Sequence, residues 1–234
     1  MSLPKDCRDC PVWKKSLFKD SDQELLQWLA KRKKFVQLKR KDVLFDQGQQ
    51  VDGLYCHMSG LAKVVQKDDS GEVLFSRLVF PGDTSGHRSL FVESDYKGTA
   101  DVVSNQLQAC YISKEDILYL LSHNAAFAKN LVVKISMEGV KSEQAQISAR
   151  RQSVRGRLAA LLCELCEVDS EELDDKRYML KSNLTKRDIA GFLSVANETV
   201  IRLMSEMKSE GIIDNQGKKV LIYDLHRLRE LAKL

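Results

Sequence analysis

No run of eighteen apolar residues occurs anywhere in the 234-residue chain, so no segment reads as a transmembrane helix. The first ten residues, Met1 to Cys10, lack the apolar core of a signal peptide, and the expected location is the cytoplasm. Catalytic signatures are missing as well. There is no P-loop, no HExxH, no nucleophile elbow and no evident acid/base pair, so an enzyme is not expected. Histidine is scarce: the four residues are scattered along the chain, and a packed or surface role is the ordinary one for each. Internal repeats and low-complexity segments are also lacking.

What is present concentrates near the C-terminus. The stretch Leu184 to Ile213 reads as two helices joined by a tight turn. Thr185 and Asp188 have the spacing of a capping box. Ile189, Phe192 and Leu193 give the first helix an apolar side, and Ser194-Val195 makes the turn. In the second helix Val200, Leu203, Met204 and Met207 fall at helical spacing and face inward. Glu198 and Arg202, four apart, share the outward face. Gly211 is a natural C-cap. This is the layout of a helix-turn-helix whose second helix enters a DNA major groove. Asp214 to Gly217 reads as a turn and Val220 to Tyr223 as a strand, together a β-hairpin wing with Lys218 and Lys219 near its tip.

Charge supports a polyanionic partner. Residues 175–234 hold 12 Lys and Arg against 8 Asp and Glu, and the remainder holds 25 against 25. The net charge of +4 therefore lies in the segment carrying the two-helix motif.

The N-terminal half reads differently. Ser21 to Lys31 is a helix with Leu25, Leu26, Trp28 and Leu29 as its stripe and Ser21 or Asp22 as its cap. From Phe35 onward short apolar runs alternate with turns at Gly48, Gly53, Gly60, Gly71 and Gly82. Asp68 to Gly71 is a hairpin signal. Strands at this spacing predict a β-sandwich or barrel of the jelly-roll kind. Ser113 and Asp116 begin a capped helix to about His123, and a long helical pattern covers 125–151. Val132, Ile135, Gly139, Ser142, Gln146 and Ala149 mark either a coiled-coil seam along it or the face of a helix packed on its own barrel. Arg150, Arg151, Arg155 and Arg157 cluster at its end. Leu158 to Cys166 is a further helix and Val168 to Lys181 a connector.

A glycine-punctuated β-roll containing Phe80 to Asp83, a long helix and a winged helix-turn-helix, in this order, resemble the cyclic-AMP-receptor / fumarate-nitrate-reduction regulator (CRP/FNR) superfamily of bacterial transcription regulators. The resemblance covers essentially the whole chain. It implies an α+β protein with an N-terminal jelly-roll β-barrel of cyclic-nucleotide-binding type over 1–124, a long dimerisation helix over 125–151 and a winged helix-turn-helix over 152–234. It implies a homodimer on a two-fold symmetric duplex site, with RNA polymerase as a further partner if the protein is an activator.

Matched position by position, the base-reading residues of the family fall on Asn197, Glu198 and Arg202. Glu198 accepts from cytosine N4 and Arg202 donates to guanine O6/N7, together reading a G·C pair. Asn197 suits adenine or no base at all, or caps the helix because Ala196 stands where a serine is common. Thr185, Arg187, Thr199 and Lys218 match phosphate-holding positions. The effector stretches fall on Gly86, His87, Arg88 and Ser89 and on Lys97, Gly98 and Thr99. They depart from the cyclic-nucleotide pattern: His87 replaces its glutamate, and its arginine falls on Gly98. A [4Fe–4S] cluster is the other cofactor the resemblance suggests. Cys7 and Cys10 match two N-terminal ligands and Cys110 the β-roll ligand, while the third N-terminal position is Ser16. Cys56, an aspartate such as Asp20, or nothing completes the set. A reversible thiol switch, a cyclic-nucleotide-responsive regulator, a regulator without any ligand and a ligand-binding module that does not bind DNA remain open. Cys163 and Cys166 lie in an apolar helix and read as core.

Overall fold

The computed structural model describes residues 7–173, 176–217 and 219–233. After two short 3₁₀ turns (Cys7–Asp9 and Trp13–Lys15), α1 spans Gln23–Arg32. Asp22 is its cap, accepting from the Leu25 N–H at 2.8 Å. Eight strands follow: β1 (Lys34–Lys39), β2 (Val43–Phe45), β3 (Gly53–Ser59), β4 (Ala62–Lys67), β5 (Val73–Val79), β6 (Thr84–Ser85), β7 (Thr99–Val102) and β8 (Gln106–Ser113). A short helix, α2 (His87–Phe91), separates β6 from β7.

These strands make two antiparallel sheets, in the orders β1-β8-β3-β6 and β2-β7-β4-β5. The expected closed jelly-roll barrel is thereby corrected to an open sandwich. No strand of one sheet pairs with a strand of the other. The reason lies at the edges. β6 has two residues and β2 three, too few to carry a ladder onward. The chain also changes sheets in the turn at Lys41 (φ 74°), so the consecutive β1 and β2 never pair. Residues of both sheets, among them Phe45, Leu54, Val64, Val102, Leu107 and Ile112, belong to one buried core. Leu17, Phe18 and the α1 residues Leu26 and Leu29 belong to the same core.

Ser113 caps α3 (Lys114–His123), and Asn124 caps the 27-residue α4 (Ala125–Arg151). Only the first part of α4 is buried, through Phe127, Asn130 and Leu131. Val132, Val133, Ile135, Met137, Val140 and Ile147 are exposed. That apolar surface is wider than the expected seam and includes Val140 and Ile147, which the seam omitted.

The C-terminal part comprises α5 (Val154–Asp169), α6 (Lys186–Leu193), α7 (Asn197–Ser209) and α8 (Leu225–Ala232), with a sheet ordered β11-β12-β10-β9. Its strands are β9 (Ser170–Glu172), β10 (Tyr178–Leu180), β11 (Ile213–Gln216) and β12 (Lys219–Ile222). Asp214 to Gln216, expected as turn, are therefore strand, and the chain turns at Gly217 (φ 63°). The connector 168–181 supplies β9 and β10. Helix α8 escaped the sequence reading, although Asp224 caps it and Leu225, Leu228 and Ala232 have helical spacing. It packs on α5, where a side chain at Gly156 would approach the Leu231 carbonyl to 3.1 Å.

Among the described residues no helix is long and apolar enough to cross a membrane.

Candidate nucleic-acid interface and thiol cavity

The helix pair is built as its local sequence dictates. The Thr185 hydroxyl accepts from the Asp188 N–H at 3.1 Å, and the Asp188 carboxylate accepts from the Thr185 N–H at 2.9 Å. Both halves of the capping box are present. Ser194 turns the chain in the left-handed region (φ 54°). Helix α7 then buries Val200, Leu203, Met204 and Met207 and leaves Glu198, Ile201 and Arg202 exposed. Arg202 pairs with Glu206 one turn on, not with Glu198.

Asn197 is the first residue of α7, and Ala196 caps without a side-chain hydrogen bond. Asn197 is therefore not drawn into capping, and its Oδ1 is buried without a partner. Arg187 is exposed on α6 and Thr199 half-buried on α7. Lys218 lies outside the described residues. The arginines beyond α4 serve the protein itself: Arg155 pairs with Glu210, and Arg157 donates to the Leu193 carbonyl at 2.9 Å, satisfying the end of α6.

Helix α6 is docked on the β4–β5 hairpin of the sandwich. The Lys63 ammonium reaches the Asp188 carboxylate at 2.6 Å. Phe75 meets Phe192 edge-on, with ring centres 5.7 Å apart. Burial works against the charged form of Asp188, but Lys63 and Thr185 outweigh it and hold its pKa below the usual carboxylate range.

The residues of the expected effector stretches separate. His87, fully buried, and exposed Arg88 both turn to Glu138 of α4, at 3.1 and 2.8 Å. Ser89 lines a surface depression with Gly48 and Lys114. Lys97 is exposed. The Thr99 hydroxyl accepts from the Gln47 N–H at 3.1 Å. Gly86 takes a left-handed backbone (φ 89°). A Cβ at Gly98 would lie 2.7 Å from the Val65 carbonyl, so the arginine of the cyclic-nucleotide pattern has no room there. Phe45 and Tyr96 stack nearby, with ring centres 4.0 Å apart.

The Glu138 cluster ties the sandwich to the long helix and predicts an acid limb in stability. Burial would raise the Glu138 pKa, but hydrogen bonds and charges of His87 and Arg88 outweigh it and hold it at about 2, against 4.5 normally. Because the folded pKa is the lower, this contribution is complete above pH 4.5 and disappears as pH falls towards 2. Unfolding free energies from denaturant titrations between pH 5 and pH 2 should fall more steeply for the natural protein than for Glu138→Gln, by on the order of a few kcal/mol. Parallel curves would remove Glu138 as the cause.

The cysteines give the clearest convergence. Cys7, Cys10, Cys56 and Cys110 line one small cavity with Ser16, Phe18, Lys33 and His57. The expected set Cys7, Cys10 and Cys110 is thus brought together, and Cys56 joins it because β3 and β8 pair it with Cys110. Burial pushes the Cys110 thiol up to about 12; Lys33 pulls against this, while Cys7 and Cys10 add to it. Burial also raises Cys56, reinforced by Cys110 and Cys7, and raises Cys10. Burial lowers His57 to about 3, so it stays neutral, bonded through Nε2 to Ser85 at 2.8 Å.

The donor set suits an iron–sulfur cluster, whose irons take thiolates at separate corners. Among the described residues no three His, Cys, Asp or Glu side chains already gather around a single ion. Cys7, Cys10 and Cys110 at this cavity are the residues that would hold a cluster. Cys163 and Cys166 are buried in the separate C-terminal core.

A sandwich joined by a long helix to a winged helix-turn-helix, with a charged face exposed on the second helix, defines a DNA-binding regulator of transcription rather than an enzyme. Residues 35–124 match the cyclic nucleotide-binding domain family, and residues 156–231 the Crp-like helix-turn-helix domain family. The chain belongs to the CRP/FNR family of bacterial transcriptional regulators. It is 28% identical over 230 residues to an anaerobic regulatory protein of Haemophilus influenzae, covering 97% of this chain and 87% of that one. It is 27% identical over 231 residues to the regulatory protein HlyX of Actinobacillus pleuropneumoniae, covering 97% and 92%. Its fold is similar to that of a CRP/FNR-family transcriptional regulator from Thermus thermophilus, with a TM-score of 0.71 at 24% identity, covering 86% of this chain and 99% of that one.

Proposed function

We propose that this regulator works in the cytoplasm as a homodimer, paired along α4, and sets two α7 helices on a two-fold symmetric duplex site. Major-groove geometry then spaces the half-site centres about 34 Å apart. Residues 1–124 form the sensor, 125–151 the dimerisation helix and 152–234 the DNA-binding unit. The outward face of α7 carries this reading: Glu198 and Arg202 stand exposed on a helix whose opposite face is buried. Glu198 accepts from a cytosine and Arg202 donates to its guanine. Thr185, Arg187, Thr199 and Lys218 hold phosphates, and RNA polymerase is the further partner of an activator.

The input is redox chemistry at the thiol cavity. Cys7, Cys10 and Cys110 would hold a [4Fe–4S] cluster, which supplies sensitivity to oxygen when bound. The name anaerobic regulatory protein, carried by the Haemophilus influenzae relative, supports that input. The crowded backbone at Gly98 favours it over a cyclic nucleotide.

Arg202→Ala tests the recognition helix. It should cost about 1–3 kcal/mol at the specific site and relax the preference for its G·C pair. Electrophoretic mobility shifts on a panel of site variants at fixed salt would show it. Unchanged affinity and unchanged base preference would sink the assignment.

A further inference from the structure

We infer that Cys56 on β3 is the fourth thiolate of the cluster site, in place of the N-terminal cysteine whose position is occupied by Ser16. The inference rests on the cluster reading above and deepens it. Three observations carry it, each independent of the others.

The first is register. In the β3–β8 ladder Cys56 lies directly opposite Cys110. Opposed residues of an antiparallel pair project to the same face of the sheet, with Cα atoms about 4.5–5.5 Å apart. That face is covered by the segment carrying Cys7 and Cys10, so thiols from three places in the chain meet at one cavity.

The second is the chemistry of the alternative. Ser16 also lines the cavity, but its hydroxyl accepts from the Phe18 N–H at 3.2 Å. A serine hydroxyl surrenders its proton far less readily than a thiol, and the thiolate is the form that binds metal. No oxygen donor is needed where a fourth sulfur stands at the same wall.

The third is Lys33. Its side chain reaches the cavity and its ammonium lies 3.4 Å from the Cys7 sulfur and 5.2 Å from the Phe35 ring centre. The residue is only 8% exposed, and among the described residues no carboxylate forms an ion pair with it. A buried cation without a counter-charge is costly. Four thiolates on a [4Fe–4S] core leave a net negative charge, which is the occupant this lysine suits. Loading would displace protons from the thiols.

The test uses the full chain, reconstituted without oxygen from ferrous iron, sulfide and a thiol reductant. Iron and sulfide are counted per chain, and absorption near 400 nm is recorded. The natural protein should take up about four of each. Cys56→Ala and the nearly isosteric Cys56→Ser should fall to half or less, while Ser16→Ala should load like the natural protein. Melting of each apo variant by circular dichroism separates lost ligation from lost fold, and Cys56→Ser decides the matter if Cys56→Ala unfolds. Cys56→Ser loading at the natural level overturns the inference and leaves the cluster reading standing. A natural protein that takes up no iron overturns the cluster reading, and this inference with it.

Discussion

Under the homodimer proposed above, Val140→Glu should give a monomer and weaken binding to the proposed two-fold site by about 10²- to 10⁴-fold. Helix α4 has 27 residues and is about 40 Å long. Its own subunit covers only the beginning, through Phe127, Asn130 and Leu131. Val132, Val140 and Ile147 are 63%, 52% and 52% exposed and fall on the side turned away from Leu131 and Glu138. A partner covering that side buries Val140, so a glutamate there sets an uncompensated charge in a dry seam. DNA binding suffers because the second recognition helix no longer benefits from the first being bound. Val140 is no part of the subunit core, so circular dichroism should be unchanged. Sedimentation with and without DNA checks the prediction, and a Val140→Glu dimer of natural affinity would place the interface elsewhere.

Phe127→Ala should destabilise the chain by about 3–5 kcal/mol, the range for removing a buried aromatic. Phe127 is fully buried and stacks on Phe18, with ring centres 5.4 Å apart. One turn further on, Asn130 donates to the Leu17 carbonyl at 3.1 Å. The start of the long helix therefore pins the N-terminal segment that roofs the thiol cavity. Phe18 and Phe127 share this contact, so the losses of Phe127→Ala and Phe18→Ala should be less than additive in the double variant. Denaturant titration measures the loss, and limited proteolysis should show cleavage near residues 13–20 before the body of the protein. A loss below about 1 kcal/mol would mean that the segment is held by other contacts.

Much of this architecture has local causes and was legible without coordinates. Asp22, Ser113 and Thr185 all stand at helix caps, and such residues announce a helix start through hydrogen bonds that span three positions. The hairpin at Asp68 to Gly71 was legible for the same reason: Gly71 takes the φ of 83° that its turn requires. Where the expectation failed, the deciding partner was distant. Asp214 to Gln216 are polar enough to read as a turn, yet they pair with Lys219 to Leu221. β9 and β10 are three residues each and exist because the wing offers a sheet to extend. Helix α8 is short, and its apolar positions acquire meaning only against α5.

The amino-acid sequence alone determined the helix-turn-helix, the limits of the long helix, the outward placement of Glu198 and Arg202, and which thiols were available. Each follows from periodicity or capping within a few residues. Tertiary structure decided that the sandwich stays open, because closure depends on edge strands finding partners far along the chain. It decided that Lys63 grips Asp188 across 125 positions, and that Cys56 stands opposite Cys110 across 54. Strand register is set by the packing of whole sheets, and no local pattern around either cysteine contains it.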